Sequence, residues 1–285
     1  MKGSCSVCGE ELRSGYQAWH SICKQCKYEN ASLIPKINHE SNHQLIDEIH
    51  RENGLRELRV KNFKNLVKKI KKLTSENSRA LLDVGCAHGW FLEAAKNDFK
   101  VLGLEPDTNI FELTSQNKFT VRNGFFPDEI KENERFDVIT FNDVFEHIPN
   151  IKDILTSCNK YLNDKGLLVL NLPSSRGVFY KLSKWFCKIG FLGFFERLWQ
   201  KDLPSPHLHY FNKSNLIQLL RKNGFQIIKS GSMPAIRFSG LYSRINYTGN
   251  YNIVLKILIY LGVLCLLPFL LILPKDAIYV IASPK

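Results

Sequence analysis

The stretch LLDVGCAHGWFLEAA, Leu81 to Ala95, followed by KVLGLEPD, Lys100 to Asp107, decides the fold of this 285-residue chain. Leu81 and Leu82 lead into Asp83, and Val84 completes a short apolar run that stops at glycine, which reads as a buried strand. Gly85 and Gly89 bracket Cys86, Ala87 and His88. Glycine there allows backbone conformations and a close ligand approach that a side chain would block. Trp90, Phe91, Ala94 and Ala95 then open a helix whose first N–H groups face the turn. A second strand ends on Glu105, where a carboxylate can accept both hydroxyls of a ribose. This is the layout of a site for an adenosine-containing cofactor at the top of a parallel sheet.

Two rival sites fail on particular residues. The dinucleotide fingerprint G-x-G-x-x-G asks for glycine where Ala87 and Trp90 stand, and an indole at the third position obstructs close helix–strand packing. No G-K-[ST] follows, which excludes a P-loop. Downstream, ERFDVITFNDVFEHIPN (Glu134 to Asn150) holds a buried strand over Val138 to Phe141 with polar Asn142 and Asp143 at its carboxyl end. YLNDKGLLVLNLPS (Tyr161 to Ser174) reads as a helix end, a turn and a strand. LIQLLRKNGFQIIKS (Leu216 to Ser230) is a helix closed by Asn223–Gly224 and then a strand, and DAIYVIASPK closes the chain as a last strand.

Taken together, DVGCAHGWF, GLEPD, FDVITFNDVFEHIPN, GLLVLNLP, PHLHYFN and LLRKNGF resemble the class I S-adenosylmethionine-dependent methyltransferases. The pattern is most similar to the group that includes ubiquinone-type O-methyltransferases and bacterial glycan or lipid methyltransferases. These motifs run from about Leu81 to Ser230, plus the last strand. They specify fold and cofactor and say little about substrate. The resemblance implies an α/β, Rossmann-like, seven-stranded, mostly parallel sheet with helices on both faces and one antiparallel strand near the edge. The cofactor-binding set it implies is Asp83, Gly85, Cys86, Ala87, Gly89, Glu105, Pro106, Asn123, Gly124, Phe125, Asn142, Asp143 and Val144. Of these, Gly85 to Gly89 would border the methionine moiety, Glu105 the ribose, Asn123 to Phe125 the adenine, and Asn142 with Asp143 the methionine end. Ala87 stands where the family usually has glycine, and its methyl group is tolerable provided the residue keeps a negative φ.

CSVC (Cys5 to Cys8) and CKQC (Cys23 to Cys26) are two C-x-x-C knuckles that can present Cys5, Cys8, Cys23 and Cys26 to one structural Zn²⁺. Four sulfur ligands leave no position for chemistry, and a module this small needs metal to fold. His20 is a nearby spare ligand that two matched knuckles leave unused. The expected organisation is a zinc ribbon-like module over 1–35 and a helical connector over 36–78. The methyltransferase domain follows over 79–285, with hydrophobic insertions at 178–206 and 231–274. In the connector, Leu55, Leu58, Phe63, Leu66, Val67, Ile70 and Leu73 fall at helical spacing opposite a face crowded with lysine and arginine.

A net charge of +12 suits an anionic partner, nucleic acid or an acidic membrane face. MKGSCSVCGEEL lacks the apolar core of a signal peptide. The eight cysteines do not form a secreted framework, so the expected location is the cytoplasm, at the inner face of the membrane. ILIYLGVLCLLPFLLILP, Ile257 to Pro274, is uncharged and just long enough to span, but a single crossing would part the last strand from its sheet. A helix or a hairpin broken at Pro268, lying in one leaflet, is the favoured reading. VFYKLSKWFCKIGFLGFFERLWQKD, Val178 to Asp202, mixes rings with cations as an interfacial helix or an active-site lid does.

Methyl transfer to a hydroxyl requires a base tuned near neutrality, and His147, His207 and His209 are candidates, with Asp143 to orient a histidine or the cofactor ammonium. Glu146 reads as a helix cap or loop anchor. The expected acceptor is a lipid or lipid-linked small molecule. An RNA methyltransferase with a zinc-knuckle recognition module is the alternative. Against it, FNDVFEH lacks the [ND]-P-P-[YF] of enzymes that methylate exocyclic base amines, and the Pro-Cys pair of cytosine C5 enzymes is absent. A non-catalytic scaffold is a third reading, opposed by the intact glycine turn and Glu105.

Overall fold

A computed structural model describes residues 3–38, 48–77, 79–117, 119–234, 242, 245 and 252–285. The chain begins with three short strands, β1 (Leu12–Ser14), β2 (His20–Cys23) and β3 (Glu29–Ala31), and a long helix, α1 (Glu48–Lys71). The alternating part follows: β4 (Ala80–Val84), α2 (Trp90–Ala95), β5 (Lys100–Glu105), α3 (Thr108–Ser115), β6 (Thr120–Asn123), β7 (Phe136–Asn142), α4 (Ile151–Tyr161) and β8 (Leu162–Pro173). Then come α5 (Val178–Lys188), α6 (Gly193–Leu198), β9 (His209–Tyr210), α7 (Lys213–Lys222), β10 (Phe225–Met233), α8 (Ile253–Ile272) and β11 (Ala277–Pro284).

Seven strands form one sheet in the order β10-β11-β8-β7-β4-β5-β6. The β4–β5, β4–β7, β5–β6 and β7–β8 pairs are parallel, and β11 runs antiparallel between β8 and β10. Central strands carry near-continuous apolar runs because helices cover both faces, and Leu81, Leu82, Ile139, Phe141, Leu168 and Leu170 are fully buried. Chain order reverses on either side of β4, so the carboxyl ends of β4, β5 and β7 border a crevice of the kind in which ligands of such sheets bind.

The connector forms α1, whose Phe63, Leu66, Val67 and Ile70 pack on Trp90, Phe91 and Ala95 of α2. Leu73 is exposed, and the Leu55 side chain lies outside the described residues. β10 runs on to Met233, so the second insertion begins after Met233 rather than at residue 231. Its apolar stretch is one helix, α8, with no break at Pro268, the helix rather than the hairpin of the two forms expected. Among the described residues no helix is long and apolar enough to cross a membrane.

The cysteine module does not stand apart. β1, β2 and β3 continue into β9 as a second sheet, with Glu29 opposite Tyr210 and Asn30 opposite His209. The Asn212 and Asn215 side chains, which form a capping box at the start of α7, both donate to Cys26 O, at 3.5 and 3.2 Å. Lys222 reaches Cys8 O at 3.2 Å.

Candidate active site

The cofactor end is built around two glycines. Gly85 has φ +67° and a Cβ there would lie 2.6 Å from Val144 Cγ2; Gly89 has φ +73° and faces Phe119 and Thr114 at 3.2 Å. Both positions therefore favour glycine, Gly85 the more strongly because a Cβ there would clash with Val144. Ala87 also adopts positive φ, 44°, which corrects the expectation of a negative value. Its conformation is held from both sides: Ala87 N donates to Glu105 Oε2 at 2.8 Å, and Thr114 Oγ1 donates to Ala87 O at 2.6 Å.

Glu105 is buried and takes a second backbone donor, Asp107 N, on Oε1 at 2.9 Å. Burial pushes its carboxyl up to about 7, against the two N–H donors. Asn123 Nδ2 and Gly124 N both donate to Glu105 O, at 2.9 and 3.1 Å, which fixes β6 beside the acid, while the Phe125 ring is exposed. Pro106 O accepts from Asn38 Nδ2 at 2.8 Å, a clamp from the connector that has no signal in the sequence. Asp83, inside the run read as a buried strand, is buried beneath the turn. Asp83 Oδ1 accepts from Thr140 Oγ1 at 2.6 Å and Asn142 Nδ2 at 3.0 Å, and burial pushes it up to about 7. Cys86 is buried against Gly103, where a Cβ would lie 2.7 Å from its sulfur.

Asp143 also has positive φ, 55°, and its N donates to Asn171 O at 2.8 Å. Its carboxylate meets Arg59 of α1 at 3.1 Å, an ion pair that joins the capping helix to the strand end. Val144 leads into a short 3-10 turn, Phe145–His147. Glu146 in that turn is fully buried, and neither carboxylate oxygen has a hydrogen-bond partner among the described residues. It therefore neither caps nor anchors through its side chain. Burial, reinforced by Asp143, pushes its carboxyl well above the ordinary range.

Two imidazoles face Glu146. The Nε2 atoms of His147 and His207 each lie 4.0 Å from Glu146 Oε1, and the two rings are 4.6 Å apart. His147 Nδ1 donates to Pro206 O at 2.9 Å, since a carbonyl only accepts, and Nε2 is then the basic nitrogen of the neutral ring. Burial, then His147, holds His207 well below its ordinary value. The three side chains bring ligand atoms within 4.8 Å of one another, close enough to share a cation.

His209 takes another role than the one expected. Its Nε2 donates to Ile148 O at 2.8 Å, its Nδ1 accepts from the Tyr28 hydroxyl, and burial pushes it down to about 4. With both nitrogens engaged, the ring is a joint between the ribbon and the main sheet, not a base.

The four ribbon sulfurs converge. Cys5 and Cys26 are 3.5 Å apart, Cys8 and Cys23 3.4 Å, and all four lie within 4.8 Å of one another. Tetrahedral zinc with bonds of about 2.3 Å needs sulfurs about 3.8 Å apart, so the cluster fits. Each knuckle ends on a residue of positive φ, Gly9 at 92° and Lys27 at 60°. His20 is turned away from the sulfurs toward Glu29, at 3.0 Å.

The methyltransferase domain family matches residues 49–230. A ubiquinone biosynthesis O-methyltransferase of Glaesserella parasuis is 27% identical over 117 residues, covering 36% of this chain and 49% of that protein. The chain thus spans about half the length of the curated relatives it matches. Among solved structures, a SAM-dependent methyltransferase from Thermotoga maritima aligns with TM-score 0.55 at 14% identity, over 85% of this chain and 97% of that one. The magnesium protoporphyrin IX methyltransferase of Synechocystis, solved with SAH, aligns with TM-score 0.53 at 13% identity, over 82% and 87%. The chain belongs to the methyltransferase domain family and has the class I, Rossmann-like fold of the S-adenosylmethionine-dependent enzymes.

Proposed function

We propose that the protein transfers a methyl group from S-adenosylmethionine to a hydroxyl of a lipid or lipid-linked small molecule at a membrane surface, with Zn²⁺ held by the four ribbon cysteines. The observation that carries the acceptor class is where the exposed apolar surface lies. Leu182, Trp185, Ile189 and Phe191 around α5 and Ile253, Val254, Leu258 and Leu261 of α8 all stand exposed. The start of α5 is tied to the loop that joins α8 to β11: Val178 N donates to Pro274 O at 3.2 Å and Phe179 N to Asp276 Oδ1 at 2.8 Å. This junction follows the carboxyl end of β8, beside the crevice. Lys181 and Lys188 share the exposed side of α5 with Trp185, a composition suited to anionic headgroups.

Glu105 would hold the cofactor ribose, the Gly85–Gly89 turn and Asn142 the methionine end, and Asn123 to Phe125 the adenine. When bound, the cofactor supplies a methyl group already activated by its sulfonium. The chain's own residues then have three tasks: to orient the acceptor, to exclude water and to take a proton. His147 Nε2 is the group we assign to the proton, with its tautomer set by Pro206 O on Nδ1 and with Glu146 Oε1 4.0 Å from Nε2. The Arg59–Asp143 pair ties α1 to the carboxyl end of β7 beside this site.

The test supplies methyl-labelled S-adenosylmethionine with cell extract and separates lipid, glycan and RNA fractions. Label in the lipid fraction, and flotation of the protein with phosphatidylglycerol vesicles but not phosphatidylcholine vesicles, is the expected result. Label confined to RNA overturns the acceptor class.

A further inference from the structure

Glu29 is a buried ribbon carboxylate with two of its three hydrogen-bond donors outside the ribbon. It is 3% exposed and accepts three hydrogen bonds. His20 Nδ1 accepts from Tyr16 N at 3.1 Å, so Nε2 carries the proton and donates to Glu29 Oε2 at 3.0 Å. The other two donors are one turn apart on α5: Tyr180 Oη at 2.7 Å to Oε2 and Lys184 Nζ at 2.6 Å to Oε1. Burial by itself would raise this carboxyl, but His20 and Lys184 outweigh it and hold Glu29 below its ordinary value. A carboxylate serving only the ribbon needs no cation from a helix more than 150 residues away.

The contacts continue from α5 toward the histidines. Tyr180 stacks on Tyr210 of β9 with ring centroids 4.2 Å apart. Phe195 and Trp199 of the α6 segment pack with Tyr180 and Tyr210 in one buried cluster. Trp199 O accepts from His207 N at 2.9 Å, and Gln200 Nε2 lies 3.0 Å from His207 Nε2. The imidazole facing Glu146 therefore takes its place from α6, and α6 takes its place from α5.

We infer that Glu29 is a positioning residue that fastens the α5–α6 wall to the ribbon and thereby sets His207 and the acceptor side of the crevice. The part that concerns the acceptor rests on the methyl-transfer reading above. Ribbon and active-site wall are then one mechanical unit, and the ribbon acts on the reaction without touching the reacting atoms.

The test uses the full chain, Glu29→Gln, which keeps shape and loses charge, and the exchanged pair Glu29→Lys with Lys184→Glu. Four quantities are read: zinc per chain, calorimetric affinity for S-adenosylhomocysteine, hydrogen exchange over residues 178–201, and label transfer into graded amounts of total lipid extract. In Glu29→Gln, zinc and S-adenosylhomocysteine affinity should stay at parental values. Exchange over 178–201 should quicken about tenfold. The half-saturating amount of extract should rise about fivefold, with less change in the maximal rate. The exchanged pair should recover part of both losses. Unchanged exchange over 178–201 overturns the fastening. Faster exchange with unchanged half-saturation overturns the positioning role, as does loss of zinc from Glu29→Gln. A parental protein that labels no lipid sinks the acceptor reading instead, while the exchange data still decide the fastening.

Discussion

The two sides of the crevice are made in different ways. The cofactor side is assembled chiefly from one turn and its neighbouring strand ends, with Asn38 and Arg59 reaching in from the connector. Glu105 reaches Ala87 across 18 positions and Asp107 across two, through backbone N–H groups. The side we assign to the acceptor is gathered from distant parts of the chain: Tyr28 meets His209 across 181 positions, and Lys184 meets Glu29 across 155, through side chains. Backbone geometry on a packed parallel sheet needs little outside help. A wall of side-chain contacts borrowed from a small cysteine module depends on whatever holds that module folded. The two sides should therefore fail separately.

Chelation, or Cys8→Ser, is the hardest test of that separation and should give the largest effect. Structural zinc supplies a small module with roughly 10 kcal/mol or more of folding free energy at neutral pH. Its removal should melt β1 to β3, release β9, and abolish transfer. S-adenosylhomocysteine should still bind to the cofactor side, within about threefold of the parental affinity, which is under 1 kcal/mol. Calorimetry on the zinc-free protein decides the matter: loss of that binding would mean the two sides are one unit.

Glu105→Ala attacks the other side and should do the reverse. Two hydroxyl bonds to a charged acceptor, at about 1.5–3 kcal/mol each, predict a loss of well over tenfold in S-adenosylhomocysteine affinity. Hydrogen exchange over the ribbon and α5 should stay parental. Equal affinity by calorimetry would remove Glu105 from the ribose.

Affinity should also follow pH. Burial places Glu105, like Asp83, at about 7 in the folded chain, above the ordinary values of 4.5 and 3.8. The folded protein then binds more protons than the unfolded one between those values and about 7. Its ligand-free stability is thus highest below the ordinary values and declines as pH rises through that window. Only the ionised Glu105 can accept two hydroxyls fully, so S-adenosylhomocysteine should bind several-fold tighter at pH 8 than at pH 6. The melting temperature gained on adding it should widen over the same interval. A pH-independent affinity would mean that Glu105 is already ionised by its N–H donors.

The same contrast explains what the sequence could reveal. Gly85, Gly89 and Glu105 were legible because a turn, a strand end and a required φ are short-range properties. The convergence of Cys5, Cys8, Cys23 and Cys26 was legible because two equal C-x-x-C spacings bring four thiols to one point. His209 was misread because motif position put it at the acceptor, while Tyr28 and Ile148, which occupy its two nitrogens, lie in other segments. Glu146 was taken for a helix cap or loop anchor because nothing local shows that its oxygens are buried without a partner among the described residues. Glu29 carried no signal, since its meaning comes from Tyr180 and Lys184. The unbroken course of α8 through Pro268 also ran against local preference.

The smallest expected effect lies inside the glycine turn. Ala87 sits at φ 44°, where an L-residue costs about 1 kcal/mol relative to glycine. Ala87→Gly removes that cost but loosens the unfolded chain by about 0.4–1 kcal/mol, so the gain should be small, at most about 2 °C in melting temperature. Neither hydrogen bond at this residue uses its side chain: Ala87 N still donates to Glu105 and Ala87 O still accepts from Thr114. S-adenosylhomocysteine affinity should therefore be unchanged while stability rises slightly. A drop in affinity at unchanged stability would show that the methyl group itself touches the ligand, and that this side of the crevice also depends on a side chain.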